Sequence, residues 1–447
     1  MTVLSGWGCT APTAASVVRP TDADEVRDAI TGAPARGVIA RGLGRSYGDA
    51  AQNAGGTVVD STALTGGPTT VPAGGVVRLA AGVSLDDLLR AIVPQGWFVP
   101  VTPGTRFVTV GGAIASDIHG KDHHRAGTFT NHVRSMRIAV ASGDVVEVSP
   151  TERPDLFWAT AGGMGLTGIV VDADVALTPI ETSLLAVDTD RSPDLDAVMA
   201  LMAEGDAGYP YSVAWIDLSV TGRSLGRSVL TRGAFAQAAA LPAAWHAAPL
   251  AYDPRTRLTA PPVPFSLVSR PTIRVFDEVW FRKAPSRRRG ELQSIPRFFH
   301  PLDLAARWNR LYGPRGFVQW QPVIPFGAED ALRRIVERLA RYGGPSFLGV
   351  LKRFGAANPG PLSFPLPGWT LALDFPAATS GLAEVLDELD RVVVDAGGRI
   401  YLSKDGRMDP ALLPHMYPRL DEWRSTRAAL DPDGLFRSDQ ARRLDLL

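Results

Sequence analysis

The chain has 447 residues, and its 46 Lys and Arg residues balance 46 Asp and Glu residues, so its formal net charge at pH 7 is zero. This balance argues against a nucleic-acid-binding protein, since such proteins carry a strongly basic surface. One cysteine excludes an internal disulfide, and no apolar run reaches the ~18 residues that a membrane-spanning helix needs.

The N-terminal sequence has no basic residue before Arg19 and no continuous apolar stretch, so we expect no secretory signal peptide. These features predict a cytoplasmic or peripherally membrane-associated protein that does not bind nucleic acid. The length predicts two domains, or one domain with a large insertion.

Residues 1–183 are rich in glycine and in short β-type runs, which predict strands at 37–42, 55–60, 76–82, 107–115 and 167–179. A helix is predicted over residues 81–95. Ser84 precedes two acidic residues there as an N-cap, and one face of the helix carries Leu85, Leu88, Leu89 and Ile92. This part therefore predicts an α+β arrangement in which a helix lies on mixed sheets.

Residues 184–397 have a different pattern, in which strand candidates alternate with helix candidates. We predict strands within 210–220, 316–326, 345–355 and 368–376, and helices over 331–343 and 382–398. Alternation of this kind is typical of a sheet with helices on one face. The last ~50 residues are predicted to pack back against the first part.

Residues 252–290 mix proline and large apolar residues with a local excess of arginine and lysine. The simplest interpretation is a surface loop followed by one strand. The alternative is a mobile flap that meets an anionic, lipid-linked substrate at a membrane surface.

Three separate segments are rich in glycine and other small residues. The first, residues 40–49, directly follows a predicted strand, and its glycines allow backbone N–H groups to converge on an anion such as a pyrophosphate. Its spacing matches neither the Walker motif nor the Rossmann fingerprint. The other two segments cover 103–120 and 157–168, and the three together predict one large, planar, phosphate-bearing ligand.

Four histidines fall between residues 119 and 132, which raises a metal site as a competing idea. Lys121 and Arg125 lie among these histidines and disfavour a dication, and no cysteine or carboxylate set stands at ligand spacing. We therefore predict no metal and consider a cofactor role for His119 alone, with packing or surface roles for the rest. No G-x-S-x-G occurs, and Cys9 has no nearby base, so nucleophilic catalysis is not indicated.

The three glycine-rich segments carry recognisable motifs: G-L-G-R-S-Y-G-D at 42–49, P-G-T at 103–105 with V-G-G-A-I-A-x-D-I-H-G-K at 110–121, and F-W-A-T-x-G-G-x-G-L-T-G at 157–168. They resemble the FAD-binding domain of the vanillyl-alcohol oxidase and p-cresol methylhydroxylase family. The resemblance extends over essentially the whole chain, through W-N-R-x-Y-G-P at 308–314, Q-W-Q-P-V-I-P at 319–325 and H-M-Y-P-R-L-D-E-W at 415–423.

This resemblance implies an α+β fold: a two-subdomain FAD-binding domain of the p-cresol methylhydroxylase type, with an inserted substrate domain built on an antiparallel sheet covered by helices. The implied division is residues 1–183 for the first part of the FAD-binding domain, 184–397 for the substrate-binding domain, and 398–447 for a C-terminal segment that returns to the FAD-binding domain.

The implied cofactor is FAD. Its expected contacts are Ala40, Arg41, Gly42, Leu43, Gly44, Arg45, Ser46, Tyr47, Gly48, Asp49, Ala50, Gly104, Thr109, Val110, Gly111, Gly112, Ser116, Asp117, Ile118, His119, Val170 and Tyr401. Related oxidases often tether the flavin through a histidine in the first turn, where this chain has Arg45. We therefore predict non-covalent FAD.

The later motifs resemble a branch of the family that oxidises the C2 hydroxyl of decaprenylphosphoryl-β-D-ribofuranose to the 2-keto sugar. This is the first half of an epimerisation that yields the arabinose donor for cell-wall arabinan, and an NAD(P)H-dependent keto-sugar reductase completes it. The implied catalytic residues are Lys404, His119 and Tyr47. The implied substrate-binding residues are Lys121, Trp215, Gln319, Gln321, Lys352, Thr370 and Ala372.

The chain departs from this branch at two positions. Ala372 stands where the related enzymes have a cysteine that nitro-aromatic inhibitors modify, and Thr370 replaces an asparagine. A soluble sugar, nucleoside or aldonolactone therefore remains an alternative substrate, and a non-catalytic binding protein is a further alternative. Because Lys404, Tyr401 and His119 are all present, we favour the enzyme.

Overall fold

The computed structural model of the chain describes residues 1–67, 69–346 and 348–447. Its strands and helices form an α+β fold, as predicted. No helix in these ranges is long and apolar enough to cross a bilayer.

The first part of the chain contains two four-stranded sheets. Its strands are β1 (Thr2–Leu4), β2 (Thr13–Val18), β3 (Val38–Arg41), β4 (Thr57–Asp60), β5 (Val76–Ala80), β6 (Trp97–Phe98), β7 (Val133–Ala139), β8 (Val145–Val148), β9 (Ile169–Ala176) and β10 (Thr178–Pro179). One sheet has the order β1-β2-β4-β3, with β4 parallel to both β2 and β3, and the other is the antiparallel sheet β5-β9-β7-β8. The short strands β6 and β10 pair with each other.

The helices of this part are α1 (Ala23–Thr31), α2 (Leu85–Ile92), α3 (Val110–Ala115), α4 (His123–Ala126) and α5 (Pro154–Thr160). Helix α2 confirms the prediction around residues 81–95: the Ser84 side chain accepts a hydrogen bond from the Asp87 N–H as the N-cap, and the four predicted apolar residues are buried.

The strand predicted at 107–115 is wrong, because this segment contains α3. The Thr109 side chain accepts a hydrogen bond from the Gly112 N–H and so begins a helix. A Cβ on Gly111 would lie 3.0 Å from the Ala81 Cβ, so the helix packs closely on the turn after β5. The predicted strand rested on β-type composition, and N-capping together with this tertiary contact outweighs it.

The second part is dominated by one nine-stranded antiparallel sheet. The strands of this part are β11 (Leu184–Ser192), β12 (Tyr211–Ile216), β13 (Ser228–Phe235), β14 (Leu258–Thr259), β15 (Arg287–Ser294), β16 (Ala305–Ala306), β17 (Phe317–Trp320), β18 (Pro322–Pro325), β19 (Gly349–Phe354) and β20 (Gly368–Pro376), and β21 (Arg399–Ile400) follows. The sheet order is β15-β11-β13-β12-β19-β20-β18-β21, and β17 also pairs with β20. The four predicted strand regions are confirmed; the prediction at 345–355 includes residue 347, which lies outside the described residues.

The helices that follow β11 are α6 (Leu195–Gly205), α7 (Arg270–Lys283), α8 (Ile295–Phe299), α9 (Glu329–Tyr342) and α10 (Leu382–Asp395). Helices α9 and α10 confirm the two predicted helices. Each buries an apolar face in the larger core cluster, which also receives alternate residues of the nine-stranded sheet such as Leu351, Leu371 and Leu373.

The prediction of a loop and one strand for residues 252–290 is wrong in one respect, because α7 occupies most of its second half. Ser269 and Thr272 form a capping box at the start of this helix, and Pro271 lies in its first turn, where proline is tolerated. Strand β14 and the start of β15 also lie in this interval.

The C-terminal residues return to the first part of the chain. After β21 come α11 (Leu413–Met416), α12 (Leu420–Leu430) and α13 (Asp439–Arg443). Phe436 forms a parallel bridge with Val38 of β3, the Trp423 indole N–H donates to the Ala159 carbonyl, and Arg443 pairs with Asp49. These contacts place the C-terminal residues against the first part of the chain, and they bring the turn at Lys404 against the first glycine-rich segment.

Candidate active site

A cavity of ≈ 440 Å³ lies between the glycine-rich segments and one face of the nine-stranded sheet. This volume is within the range of about 300–1,000 Å³ that small-molecule sites occupy. Most residues predicted to bind cofactor or substrate line it: Ala40, Gly42, Leu43, Gly44, Arg45, Ser46, Tyr47, Ala50, Gly104, Thr109, Gly111, Gly112, Ser116, Ile118, His119, Lys121, Val170, Trp215, Gln319, Gln321, Lys352, Ala372, Tyr401 and Lys404.

Six predicted residues do not line the cavity, namely Arg41, Gly48, Asp49, Val110, Asp117 and Thr370. The Arg41 guanidinium donates instead to the backbone carbonyls of Ser5 and Ala51, and Val110 is fully buried in a core cluster. A motif does not specify which of its residues face inward, so contact of these six residues with cofactor or substrate stays a prediction, although none of them lines the cavity.

Gly48 and Asp49 hold the C-terminal segment in place. A Cβ on Gly48 would lie 2.0 Å from the Asp405 carbonyl oxygen, so only glycine allows the two turns to approach this closely. Asp49 accepts two hydrogen bonds from Arg443 at 2.8 and 3.0 Å. These contacts place Lys404 beside the first glycine-rich turn.

Asp117 is fully buried next to the cavity and has a φ of 40°, in the left-handed region. Its carboxyl group accepts hydrogen bonds from Ser363, Asn358 and the Thr130 N–H. Burial raises its pKa, and these hydrogen bonds oppose the rise. Asp117 therefore fixes the backbone two residues before His119.

One face of the sheet forms the wall opposite the glycine-rich segments. In β19 and β20, Val350 is opposite Ala372 and Lys352 is opposite Thr370; in β17, Gln319 is opposite Asp374 of β20. Residues directly opposite each other in an antiparallel pair share a face, as do residues two apart on a strand. The same face continues through the cavity-lining residues Trp215, Val213, Val229 and Thr231.

Lys404 lies at one corner of this wall, with Nζ 4.0 Å from the centre of the Tyr47 ring. The Tyr47 N–H donates to the Ser403 carbonyl at 3.0 Å, which sets the two residues side by side. Burial lowers the pKa of Lys404 to about 7; Asp374 opposes this change and Lys352 adds to it. Burial also raises the pKa of Tyr47, so its phenol stays protonated.

Asp374 lies opposite Gln319 on the neighbouring strand and is fully buried. The Gln319 side-chain amide donates to it, and burial raises its pKa to about 7, against the effects of that hydrogen bond and of Lys404. Asp374 is outside the lining of the cavity, and no sequence motif indicated it.

His119 stands between two hydrogen-bonding partners. Its Nε2 lies 3.0 Å from the Gln321 Nε2, and its Nδ1 lies 3.2 Å from the Lys352 Nζ. Burial and the nearby cations Lys352 and Lys404 lower the pKa of His119 well below its usual value, so the ring is neutral. Burial lowers the pKa of Lys352 to about 8, against the effect of Asp122.

Two further cations line the cavity. Lys121 donates to the Phe298 carbonyl, and burial, aided by Lys352, lowers its pKa to about 7. The Arg45 guanidinium carbon lies 3.9 Å from the centre of the Trp7 ring, and its buried Nε has no hydrogen-bond partner.

The other three histidines of the 119–132 cluster do not line the cavity. His123 accepts a hydrogen bond from the Gly355 N–H, while His124 and His132 contact backbone carbonyls. Within the described ranges, no group of three or more His, Cys, Asp or Glu side chains could hold a metal ion.

The sequence prediction missed several lining residues, including Val213, Val229, Thr231, Trp280 and Phe299. Alternation along β12 and β13 is the pattern that could have identified the first three of them, because it separates the cavity face from the core face. The third glycine-rich segment contributes Thr160, Met164, Gly165 and Gly168, so all three segments meet at one cavity.

Comparison with known proteins agrees with this geometry. Residues 14–149 match the family model described as an FAD binding domain. The chain is 47% identical over 450 residues to the decaprenylphosphoryl-β-D-ribose oxidase of Mycolicibacterium smegmatis, covering 99% of this chain and 97% of that protein. It is 42% identical over 374 residues to an uncharacterized protein from the mprA 5′ region of Streptomyces coelicolor, covering 81% of this chain and all of that protein. Cytokinin dehydrogenase 4 of Arabidopsis thaliana is 33% identical over 146 residues, or 31% of this chain and 28% of that protein. The predicted FAD cofactor is confirmed.

Proposed function

Because the chain belongs to the decaprenylphosphoryl-β-D-ribose oxidase family of FAD-binding oxidoreductases, we propose that it oxidises the C2 hydroxyl of decaprenylphosphoryl-β-D-ribofuranose, or of a similar polyprenyl phosphoribose, to the 2-keto sugar. The observation that supports this most directly is the cavity itself. It joins a glycine-rich wall suited to a flavin to a sheet face that carries buried amines.

The glycine-rich wall fits FAD. Its lining consists largely of glycine, alanine and serine, and a Cβ on Gly104 would meet no atom within 4 Å, so a flat ligand has room against the backbone. The unpartnered Arg45 Nε is available to an anionic group of the cofactor or substrate. When bound, FAD supplies the hydride acceptor. The residues that would hold it are the lining members of the 40–50, 104–119 and 160–170 segments, which include Val170, together with Tyr401.

The oxidation also needs a proton acceptor for the sugar hydroxyl while the C2–H bond breaks. We assign this role to Lys404, because burial keeps a free amine accessible to it near neutral pH. Tyr47 fixes the position of Lys404, and His119 and Gln319 orient the sugar from either side.

The remaining sheet face suits a lipid-linked substrate because its lining side chains are largely apolar: Val213, Trp215, Val229 and Val350. Trp280 of α7 also lines the cavity and is 46% exposed, so α7 stands at its entrance. The outer side of α7 exposes Val275 and Val279 among arginines. We assign this side to peripheral contact with an anionic membrane.

The membrane contact predicts sedimentation with vesicles that contain anionic phospholipid and weaker sedimentation with purely zwitterionic vesicles. The double variant Val275→Glu with Val279→Glu should lose the binding while retaining FAD. Equal binding of this variant would exclude α7 as the contact.

The domain division proposed for this function is residues 1–183 and 398–447 for the FAD-binding domain, in two subdomains, and 184–397 for the substrate-binding domain. Support comes from the nine-stranded sheet, whose strands lie between Leu184 and Pro376 except for the two-residue β21, and from the contacts of Phe436 and Arg443 with the first part of the chain. A separate NAD(P)H-dependent reductase then completes the epimerisation by reducing the keto sugar.

Anaerobic reduction of the bound flavin tests the function. Polyprenylphosphoryl ribose should bleach the flavin absorbance and yield a product lighter by two hydrogens, whereas free ribose, a nucleoside and an aldonolactone should not. Bleaching by a nucleoside or lactone without bleaching by the polyprenyl substrate would overturn the proposal. Acid precipitation of the same protein should leave the flavin in the supernatant, since Arg45 cannot form a histidyl-flavin bond.

A further inference from the structure

The chain uses lysine very selectively. Only four of its 46 Lys and Arg residues are lysines, at positions 121, 283, 352 and 404. Three of these four line the cavity, and Lys283 is exposed on α7. Arginine cannot be deprotonated in proteins, whereas a buried lysine readily becomes a free amine. The lysines are therefore concentrated where a neutral amine is chemically possible.

The donor and the acceptor of each hydrogen bond that leads to Lys352 can be assigned, starting from a backbone carbonyl that can only accept. The Thr370 hydroxyl lies 2.9 Å from the Pro322 carbonyl oxygen, and a carbonyl can only accept, so the hydroxyl uses its one hydrogen there. The side chain of Gln321 lies 3.2 Å from the same hydroxyl oxygen and must therefore donate to it. This places the amide nitrogen of Gln321, rather than its oxygen, toward Thr370.

The same amide nitrogen faces His119 at 3.0 Å, so the His119 Nε2 accepts a hydrogen bond and carries no hydrogen. A neutral ring then has its hydrogen on Nδ1. The Nδ1 lies 3.2 Å from the Lys352 Nζ and offers it an N–H rather than a lone pair.

We propose that Thr370 and Gln321 hold His119 in the tautomer with its hydrogen on Nδ1, and that Lys352 therefore meets the substrate as a free amine, which accepts the His119 N–H with its one lone pair and donates its own N–H groups to a ribose hydroxyl oxygen. Thr370 and Gln321 are positioning residues for this amine. The assignment deepens the proposed function and rests on it for the identity of the sugar.

Burial and the other charged groups around Lys352 have opposing effects on its pKa. Asp122, on the segment before α4, favours the ammonium form, while burial disfavours it. Lys352 in turn lowers the pKa values of Lys121, His119, His123 and Lys404. Asp122 is itself buried, and burial raises its pKa to about 7, which reduces the attraction it exerts.

The consequence concerns specificity. A cationic Lys352 would bind the phosphate of the substrate, whereas a free amine has no charge to attract a phosphate, and its N–H groups suit a neutral hydroxyl oxygen. The hydroxyl-bearing sugar therefore lies at Lys352, and the phosphate lies elsewhere in the cavity.

Because the chain has only four lysines, NMR on the FAD-loaded, substrate-free protein can measure the protonation state of Lys352. Lysine labelled with ¹³C at Cε gives four signals, and Lys352→Met identifies the one from Lys352. We expect this signal to titrate near pH 8, so that the free amine is the main form above that pH, and ¹⁵N-labelled histidine should show His119 with hydrogen on Nδ1. An ammonium signal that persists to pH 10, or a His119 ring with hydrogen on Nε2, would overturn the proposal.

The variant Thr370→Val removes the hydroxyl that orients Gln321. The amide can then turn and accept from Nε2, which leaves a lone pair on Nδ1 for an ammonium. We expect the Lys352 titration to move upward by about one pH unit. Thr370→Ser keeps the hydroxyl and serves as the matched control with unchanged titration, and retained FAD absorbance shows that both variants fold. Equal titration of the Val and Ser variants would contradict the role of Thr370.

The variant Lys352→Arg separates an amine from a cation. If the neutral amine binds a ribose hydroxyl, Lys352→Arg should raise the half-saturating concentration of polyprenylphosphoryl ribose in anaerobic flavin reduction about tenfold or more, as Lys352→Met does. Wild-type half-saturation with Lys352→Arg would identify Lys352 as a phosphate-binding cation and overturn the proposal. Failure of every sugar to reduce the flavin would instead contradict the proposed function, and the NMR titrations would still decide the state of Lys352.

Discussion

The Nζ of Lys404 lies 4.0 Å from the centre of the Tyr47 ring, and this contact joins the C-terminal turn to the first glycine-rich turn. The two residues are 357 positions apart, as are Ser46 and Ser403, whose hydroxyl groups lie 3.3 Å apart beside them. The ring face stabilises the ammonium form without neutralising its charge. Lys404 is thereby held at the cavity wall while remaining able to lose its proton.

Replacing Lys404 with methionine should abolish flavin reduction while leaving FAD bound. Methionine preserves most of the side-chain volume over Tyr47 but removes the proton acceptor, and general-base catalysis typically contributes about 10²–10⁴-fold to a rate. Stopped-flow absorbance under anaerobic conditions measures the loss. Lys283→Met, at an exposed position outside the cavity, is the matched control and should reduce its flavin at the wild-type rate. Normal reduction by Lys404→Met would exclude Lys404 as the base.

Replacing Asp374 with asparagine should shift the pH dependence of flavin reduction to lower pH. The carboxylate of Asp374 favours the ammonium form of Lys404, so its removal lowers the pKa of Lys404 below the present value of about 7. The free amine then persists at lower pH, and the acidic limb of the rate profile moves down by up to about one unit.

The control for this shift is Asp390→Asn. Asp390 is another buried carboxyl whose pKa burial raises to about 7, but it contacts Trp320 and lies outside the cavity lining. This variant should leave the acidic limb of the pH–rate profile unchanged. A shift to higher pH in Asp374→Asn would contradict the sign of the interaction.

Contiguous motifs predicted the glycine-rich side of the site better than the sheet side. One turn brings neighbouring residues such as Gly42, Gly44 and Ser46 to the same ligand, so their spacing along the chain is informative. The sheet side is assembled from five strands whose register no local pattern specifies. Asp374 illustrates this, since it is significant only because it lies opposite Gln319 on the neighbouring strand.

The same limit applies to Thr370, which the motifs placed in contact with substrate. The structure buries it behind Gln321, where its hydroxyl contacts the Pro322 carbonyl. Sequence patterns also predicted α2, α9 and α10, whose apolar faces repeat with helical period, but they missed α7, whose exposed apolar residues obscure that period.

Nitro-aromatic inhibitors that capture a cysteine in related enzymes should form no covalent adduct at position 372. Ala372 lines the cavity and has no nucleophile to offer, and the single thiol of the chain, Cys9, is exposed. Intact mass after turnover should therefore be unchanged in a Cys9→Ser background. Adding Ala372→Cys to that background should produce one adduct per chain. Absence of an adduct in this double variant would show that the geometry around position 372 differs from that of the related enzymes.

A buried carboxyl pair should make the stability of the protein depend on pH through α7. Asp277 of α7 and Asp217 after β12 are both buried and are hydrogen-bonded to each other. Burial and the charge of Asp217 raise the pKa of Asp277 to about 8. The folded state thus binds a proton that the unfolded state has already lost above about pH 4. This contribution to stability is complete at low pH and is lost as the pH rises through 8.

Asp277→Asn keeps a donor for Asp217 but does not titrate. Relative to this variant, the wild type should lose up to about 1.4 kcal/mol of unfolding free energy per pH unit between pH 5 and pH 8. Denaturant unfolding at several pH values measures the difference. Asp196→Asn, at an exposed position on α6, should follow the wild-type curve. If Asp277→Asn instead parallels the wild type across this range, the two carboxyl groups do not share a proton, and Arg227, which pairs with both Asp217 and Glu278, is what attaches α7 to the sheet.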